Sequence, residues 1–196
     1  MRDPMESSER KTELRATTRA ARGALPQETR DAATAAAAAR ALALPAVARA
    51  RSVLAYAALP EEIDPAPLVA ALRARGARIA LPRVCGPGAL ALHWVDDGAA
   101  LTPSTMGIPE PDATCAWAGP DDFDLVVVPG VAFDGSCARL GFGGGFYDAL
   151  LPVLPATALT VALAFDEQLV DAVPCEDHDA RVDIVVTPST TYRRGE

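Results

Sequence analysis

Lysine is almost missing from this chain, because Lys11 is the one lysine among its 18 basic residues. The body of the chain also has few positive charges: residues 52–196 carry eight basic and twenty acidic side chains. Duplex nucleic acid needs a broad basic surface, so we exclude nucleic acid as the main partner. Residues 1–51 carry ten basic and six acidic side chains, which favours a small anion held at one place. Lys11 is either required as a compact point charge or retained by chance.

Cysteine, histidine and long hydrophobic runs are scarce as well. The four cysteines form no CxxC pair and there are two histidines, so a zinc site is not expected. We interpret the cysteines as small buried residues of a reduced, cytoplasmic protein. Residues 1–20 have no apolar signal segment, and arginine and proline interrupt the apolar stretch 32–50. Neither a secretory signal nor a membrane span is therefore predicted.

The order of predicted elements indicates the fold class. The 196 residues, half of them hydrophobic, suit a single domain with a core of its own. Helices are predicted at residues 6–22, 27–42 and 65–75, and strands at 52–57, 78–84, 90–95, 125–128, 159–165 and 183–187. A long loop is expected at 97–122, of the kind that covers a site. We predict an open, mostly parallel α/β sheet flanked by helices, with N-terminal helices (1–45) and an α/β body (52–190) in one domain, 1–196.

The segment with the most chemical content is VVVPGVAFDGSCARLGFGGGFYDALL, residues 126–151. It joins a buried strand to a glycine-rich loop and a helix, and glycines let backbone N–H groups approach phosphate oxygens. Arg139 before the glycines is placed to clamp a phosphate, and Asp148 after them to hold magnesium. The spacing matches neither GxGxxG nor a Walker A loop, so an ordinary tight turn is the alternative.

Charged residues form two further patterns. Lys11, Arg15, Arg19 and Arg22 share one face of the first helix, which is either a solvated face or a contact for a polyphosphate. The segment EDHDARVD, residues 176–183, either completes a magnesium site with Asp148 or is a solvated acidic loop.

Three segments, DLVVVPGVAFD, RLGFGGGFYD and HDARVD, occur in this order and resemble the 5-formyltetrahydrofolate cyclo-ligase (5,10-methenyltetrahydrofolate synthetase) family. KTELR, RIALPRV and MGIPEP resemble further segments of that family, and the likeness covers nearly the full length. The resemblance implies a fold of the NagB/RpiA/CoA-transferase type. It also implies the ATP- and Mg²⁺-dependent conversion of 5-formyltetrahydrofolate into 5,10-methenyltetrahydrofolate, with ADP and phosphate released.

The resemblance also implies roles for individual residues. The catalytic residues would be Lys11, Arg139 and Asp148. ATP would contact Lys11, Arg15, Arg139, Leu140, Gly141, Phe142, Gly143, Gly144, Gly145, Phe146 and Tyr147. The magnesium ligands would be Asp148 and Asp179, and the folate would be faced by Ala57 and by Glu61 or Glu62. Two positions depart from the family: Phe146 replaces a common tyrosine, and Met106 a common aromatic residue.

The implied substrate is 5-formyltetrahydrofolate, with or without a polyglutamate tail, bound by a monomer without nucleic-acid or membrane partners. Two alternatives belong to other classes. One is a non-catalytic paralogue that binds nucleotide or folate, and the other is a related ATP-dependent enzyme for another small molecule. The presence of both carboxylates and both cationic clamps favours the cyclo-ligase reaction.

Overall fold

A computed structural model describes residues 4–99, 101–104, 107–176 and 179–196. Its helices are α1 (Pro4–Gly23), α2 (Gln27–Leu42), α3 (Pro45–Ala48), α4 (Ala66–Ala74) and α5 (Phe146–Leu150). Its strands are β1 (Ser52–Leu54), β2 (Arg78–Gly86), β3 (Ala89–Trp94), β4 (Leu101–Pro103), β5 (Pro109–Pro111), β6 (Trp117–Ala118), β7 (Leu125–Val127), β8 (Ala132–Asp134), β9 (Arg139–Leu140), β10 (Leu159–Leu163), β11 (Leu169–Val170), β12 (Ile184–Val186) and β13 (Thr191–Arg193). Within these residues, no helix has the length and hydropathy needed to span a bilayer.

The main sheet has the strand order β13-β12-β10-β7-β1-β2-β3-β6. The five strands from β12 to β2 run parallel, and the outer strands add antiparallel pairs at both edges. The chain passes from β1 to β2 on one side and later to β7 on the other, so the strand order reverses between β1 and β7. The predicted mostly parallel α/β sheet is confirmed, whereas the NagB/RpiA/CoA-transferase label stays a prediction.

Both faces of the central strands are buried. On one face α2 and α4 pack against the sheet through Ala37, Ala41, Leu68 and Leu72, each fully buried. On the other face α5 and the loops supply a second apolar cluster. This explains the unbroken LVV of β7, because a strand covered on both sides has no solvent-facing position for a polar residue.

The alanine-rich run of α2 is a packed helix, as the sequence predicts. Alanine has the highest helix propensity, and its small side chain lets the helix axis approach the sheet closely. The helix spans Gln27–Leu42, the predicted range, and its buried residues include Ala37, Ala38 and Ala41. The first helix is also confirmed, with α1 ending at Gly23.

The prediction of one long loop at residues 97–122 was wrong. This stretch contains β4 and β5, which pair with each other, and β6, which pairs with β3 at the edge of the main sheet. These strands were not predicted because they are short and because prolines lie at positions 103, 109 and 111. Proline is tolerated in edge strands but is depleted from strands in general. Met106 lies in this stretch but outside the described residues.

Candidate functional site

A cleft of about 320 Å³ lies at the carboxyl ends of β1 and β7, where the strand order reverses. Ligands of open α/β sheets bind at this kind of switch point. Apolar side chains from several separate segments line the cleft, among them Ala57, Pro82, Leu90, Ile108 and Phe142. Its polar lining includes Glu62, Glu110, Arg139 and Tyr147. The shape and lining favour a flat, mostly apolar ligand with a few polar groups.

Helix α1 brings its basic face to this end of the sheet. The Lys11 Nζ donates a hydrogen bond to Asp179 Oδ2 at 2.6 Å, and the Arg15 Nε donates to the Gly141 carbonyl at 2.9 Å. Lys11 is 8% exposed and Arg22 is 1% exposed, so a purely solvated face is excluded for both. Arg19 does remain exposed. Arg15 therefore contacts the glycine loop, whereas Lys11 contacts the segment before β12, and the predicted contact of both with a polyphosphate stays a prediction.

Lys11 is held by two carboxylates on the segment before β12. Its Nζ lies 2.6 Å from Asp179 Oδ2 and 3.4 Å from Glu176 Oε1. Burial by itself lowers the pKa of Lys11, but the hydrogen bond and charge of Asp179 outweigh burial, and the pKa is raised. Lys11 is therefore a fixed positive charge at neutral pH.

Arg139 and Asp148, predicted as a phosphate clamp and a metal ligand, are paired with each other. The Arg139 Nη2 lies 2.6 Å from Asp148 Oδ1, and its Nη1 donates to the Pro129 carbonyl at 3.3 Å. The Arg139 Nε is buried without a hydrogen-bond acceptor among the described residues. Arg139 also lines the cleft, and a buried guanidinium N–H that lacks an acceptor there favours a nearby anionic ligand group.

The glycines between Arg139 and α5 are required by close packing and by backbone conformation. A Cβ at Gly141 would lie 2.8 Å from Arg139 Nη1, and one at Gly144 would lie 2.7 Å from the Phe146 ring. Gly143 and Gly145 have φ angles of +102° and +70°, which other residues rarely adopt. The run of glycines therefore lets the loop fold tightly over the arginine.

Replacing Gly145 by alanine is expected to destabilise the protein and weaken nucleotide binding. A Cβ there meets no atom within 4 Å, so the penalty is conformational, about 1 kcal/mol for a left-handed residue with a Cβ. Urea unfolding and the KM for ATP would measure the two effects. Gly86→Ala is the matched control, since Gly86 also has open space around it and no positive φ; equal effects in both variants would contradict the prediction.

Most residues predicted to contact ATP line the cleft, but not all. Gly141, Gly144, Gly145, Phe146 and Tyr147 do so together with Arg139 and Phe142. Leu140 is buried in a separate apolar cluster under β8 and β9, and its side chain is not part of the cleft lining. The Leu140 side chain therefore contributes packing, and its contact with ATP stays a prediction.

The two adjacent glutamates of the loop after β1 point to different places. Glu62 lines the cleft beside Ala57, and its Oε2 accepts a hydrogen bond from the Leu59 N–H at 2.8 Å. Glu61 instead lies near α1, with its Oε1 3.6 Å from Arg22 Nη2. Burial raises the pKa of Glu62, against the opposing effects of the Leu59 hydrogen bond and the charge of Arg22.

Sequence reasoning missed part of the cleft. Tyr56, Val84, Leu90 and Glu110 line it although the sequence analysis assigned none of them to the site. The phenol oxygen of Tyr147 is buried and has no hydrogen-bond partner among the described residues, and burial raises its pKa strongly. Usable signals were the position of Tyr56 near the end of the strand predicted at 52–57, and the places of Val84 and Glu110 in RIALPRV and MGIPEP.

The residues predicted as magnesium ligands offer oxygen donors of the right kind. Asp148 and Asp179 are each engaged by a cation, Arg139 and Lys11 respectively. The described residues contain no group of three or more side chains arranged to hold a metal. Mg²⁺ is commonly held by one or two carboxylates together with substrate phosphates and water, so carboxylates of this kind suit a magnesium–nucleotide complex, and their assignment as its ligands stays a prediction.

The sheet with its switch-point cleft, the glycine loop and the buried cations define an α/β enzyme for a phosphorylated ligand. The profile of the "5-formyltetrahydrofolate cyclo-ligase family" matches residues 7–188. The chain belongs to this family, whose members are ATP-dependent ligases.

Individual relatives agree with this assignment. The chain is 35% identical to the 5-formyltetrahydrofolate cyclo-ligase of Mycolicibacterium smegmatis, over 70% of this chain and 74% of the relative. It is 34% identical to the Escherichia coli K12 cyclo-ligase, over 80% and 88%. The NMR structure of Aquifex aeolicus 5,10-methenyltetrahydrofolate synthetase superposes with a TM-score of 0.83 at 32% identity, over 95% and 93%. The Mycoplasma pneumoniae synthetase supports the fold alone, with a TM-score of 0.73 at 19% identity, over 91% and 98%.

Proposed function

We propose that this chain uses ATP to cyclise 5-formyltetrahydrofolate to 5,10-methenyltetrahydrofolate, releasing ADP and phosphate. The main support for the proposal is that α1, the glycine loop and an apolar cleft converge at one place. Two residues that line the cleft have a buried polar atom with no partner among the described residues, Arg139 at its Nε and Tyr147 at its hydroxyl. Unmet polar groups inside an apolar cleft are the feature expected of a site that binds a polar ligand group.

The reaction needs activation of a poor electrophile. The formamide carbon of the substrate is unreactive, and its oxygen is a poor leaving group. Transfer of the γ-phosphoryl group of ATP to the formyl oxygen makes that oxygen a good leaving group. The N10 lone pair then attacks the formyl carbon, the bond from that carbon to oxygen breaks, and phosphate departs with the electron pair and takes up the proton that N10 loses. The product is a five-membered amidinium ring.

The protein's contribution to this chemistry is positioning and charge neutralisation, as in phosphoryl transfer generally. In our proposal Lys11, Arg15 and Arg139 contact the phosphates. Arg139 lines the cleft and Arg15 donates a hydrogen bond to the glycine loop, while Lys11 pairs with Asp179, a proposed magnesium ligand. The loop's backbone N–H groups add further donors. Fixed cations aimed at developing charge lower the barrier because they need no reorganisation during the reaction.

Magnesium is part of the proposal as the ion held by Asp148 and Asp179. When bound there it would neutralise phosphate charge during the transfer. The cations that now pair with these carboxylates would then be released toward the nucleotide phosphates. Phe146 has no hydroxyl, so on this loop only Tyr147 offers one to the ligand.

The folate is proposed to lie in the apolar part of the cleft with Glu62 as its carboxylate contact. Replacing Glu62 by glutamine is expected to raise the KM for 5-formyltetrahydrofolate about tenfold, with little change in the KM for ATP, because uniform binding to one substrate is removed. Steady-state kinetics with each substrate varied in turn would measure this. Glu28→Gln, an exposed position on α2, should leave both values unchanged; a rise in the KM for ATP alone would count against the folate contact.

The same variant should be more stable than the wild type at neutral pH. Burial raises the pKa of Glu62, so the folded chain holds this proton more tightly than the unfolded chain. The contribution of Glu62 to stability therefore falls as pH rises from the unfolded pKa through the folded one. Glu62→Gln removes the ionisable group and therefore this loss of stability, so the Tm measured at neutral pH should rise.

A near-ultraviolet scan tests the proposed function directly. Purified protein is mixed with 5-formyltetrahydrofolate, Mg²⁺ and ATP, and each component is omitted in turn. A new methenyl chromophore that needs protein, folate, ATP and Mg²⁺ supports reaction and cofactors together. Protein that binds ATP but forms no chromophore would overturn the proposal in favour of a non-catalytic paralogue or an enzyme for another small molecule.

A further inference from the structure

Arg22 is the most deeply buried basic residue of the described chain. It is 1% exposed, yet its Nε, Nη1 and Nη2 have no hydrogen-bond acceptor among the described residues. It lies in the last turn of α1, where unpaired helix carbonyls favour a cation. Burying a charged group with unmet donors nevertheless destabilises a fold, so packing alone does not account for an arginine here.

Two loops meet at this guanidinium. Its Nη2 lies 3.6 Å from Glu61 Oε1, close enough for an ion pair but too far for a hydrogen bond. Its Cζ lies 5.7 Å from the centroid of the Phe142 ring. Glu61 is adjacent to Glu62, which lines the folate part of the cleft, and Phe142 belongs to the glycine loop. Arg22 therefore lies between the loop proposed to contact the folate and the glycine loop proposed to contact ATP.

We propose that Arg22 is a positioning residue that joins the loop of residues 57–63 to the glycine loop, so that nucleotide binding tightens folate binding. The inference rests on the proposed function. A nucleotide that fixes the glycine loop holds Phe142 against the guanidinium and excludes water, which strengthens its attraction to Glu61. A shift of less than about 1 Å converts the ion pair with Glu61 into hydrogen bonds and fixes Glu62 in the cleft.

A comparison with Arg19 distinguishes the proposed role of Arg22 from the effect of a positive charge near Glu61. Arg19 belongs to the same helix and pairs with the same carboxylate, with its Nη2 3.7 Å from Glu61 Oε1, but its side chain is 56% exposed and no contact with Phe142 is present. Exposed ion pairs contribute little to binding or stability. Only the buried member of the pair contacts both loops.

The experiment measures how much nucleotide tightens folate binding. The dissociation constant of 5-formyltetrahydrofolate is determined by calorimetry with Mg²⁺, with and without the non-hydrolysable β,γ-methylene-ATP. In the wild type we expect about tenfold tighter binding with the nucleotide analogue, within the usual range of coupling between sites. In Arg22→Met the ratio should fall close to one, and Arg22→Lys should retain part of it. Thermodynamic reciprocity requires the same ratio when the analogue is titrated instead.

Two controls separate positioning from folding. Arg10→Met removes a charge from an exposed position of α1 and should keep the wild-type ratio. Phe142→Ala removes the contact from the opposite loop and should lower the ratio while Arg22 is intact, so the test does not depend on Arg22→Met folding. If Arg22→Met lowers Tm but keeps the wild-type ratio, or if the wild-type ratio is itself one, the inference is overturned.

The outcome is distinguishable from a failure of the proposed function. Wild-type protein that forms the methenyl chromophore but shows no coupling overturns this inference alone. Wild-type protein that forms no chromophore overturns the proposed reaction.

Discussion

Replacing Lys11 by alanine is expected to lower kcat by about a hundredfold or more, because a fixed cation at the transferred phosphoryl group is removed. The side chain is buried against Asp179. The loss also leaves two carboxylates, Asp179 and Glu176, without their shared cation. Their repulsion of the nucleotide phosphates should add to the effect. The methenyl absorbance assay under saturating substrates measures the change.

The Lys11→Arg variant tests whether the site requires a compact ammonium group or accepts any cation. A guanidinium is planar and larger, so it should restore only part of the activity in a space fitted to an ammonium group. Arg10→Ala, the neighbouring exposed cation, is the matched control and should leave kcat within about twofold. Near-normal turnover in Lys11→Ala, from protein with an unchanged Tm, would remove Lys11 from the mechanism and favour its retention by chance.

Replacing Asp148 by alanine is expected to lower turnover by about a hundredfold or more as well, since it breaks a buried ion pair and removes a proposed magnesium ligand. The Arg139 Nη2 lies 2.6 Å from Asp148, so the guanidinium loses the group that orients it toward the cleft. Activity measured against Mg²⁺ concentration separates the two causes. A lost metal ligand raises the Mg²⁺ concentration needed for half-maximal rate, whereas a misplaced arginine raises the KM for ATP at saturating Mg²⁺.

Asp148→Asn and Asp171→Asn complete this test. The asparagine at 148 keeps the shape of the side chain but not its charge, and should be nearly as inactive as alanine. Asp171 is an exposed carboxylate outside the cleft lining, so its amide should behave like the wild type. Full activity of Asp148→Asn at ordinary Mg²⁺ concentrations would exclude both roles.

The elements with a strong local signal were predictable with useful accuracy. The α2 range of Gln27–Leu42 follows from alanine propensity and the flanking prolines, and β7 follows from its β-branched run. Elements of two or three residues were not predictable, as with β4, β5 and β6 in the expected long loop. Such strands exist because a neighbour pairs with them, and local sequence does not specify the neighbour.

In the candidate site too, features with a local sequence signal were predictable and features set by distant contacts were not. The glycine loop and the spacing of Lys11 and Arg15 are signals from residues close together along the chain, and the structure brings Arg15 to the loop. Which of Glu61 and Glu62 lines the cleft was left open, because neighbouring loop residues point in directions set by contacts with distant segments. The pairing of Arg139 with Asp148 was also missed, since each was assigned a ligand rather than the other.

The sequence by itself determined the family, the α/β class and the short segments from which the site is built. Each of these depends on residues close together along the chain, where propensity and spacing act directly. Only the tertiary structure decided that Arg22 is buried between two loops, that Leu140 faces away from the cleft, and that Leu90 and Ile108 form its walls. Burial and charge pairing depend on which distant segments meet, and packing of the whole sheet settles that.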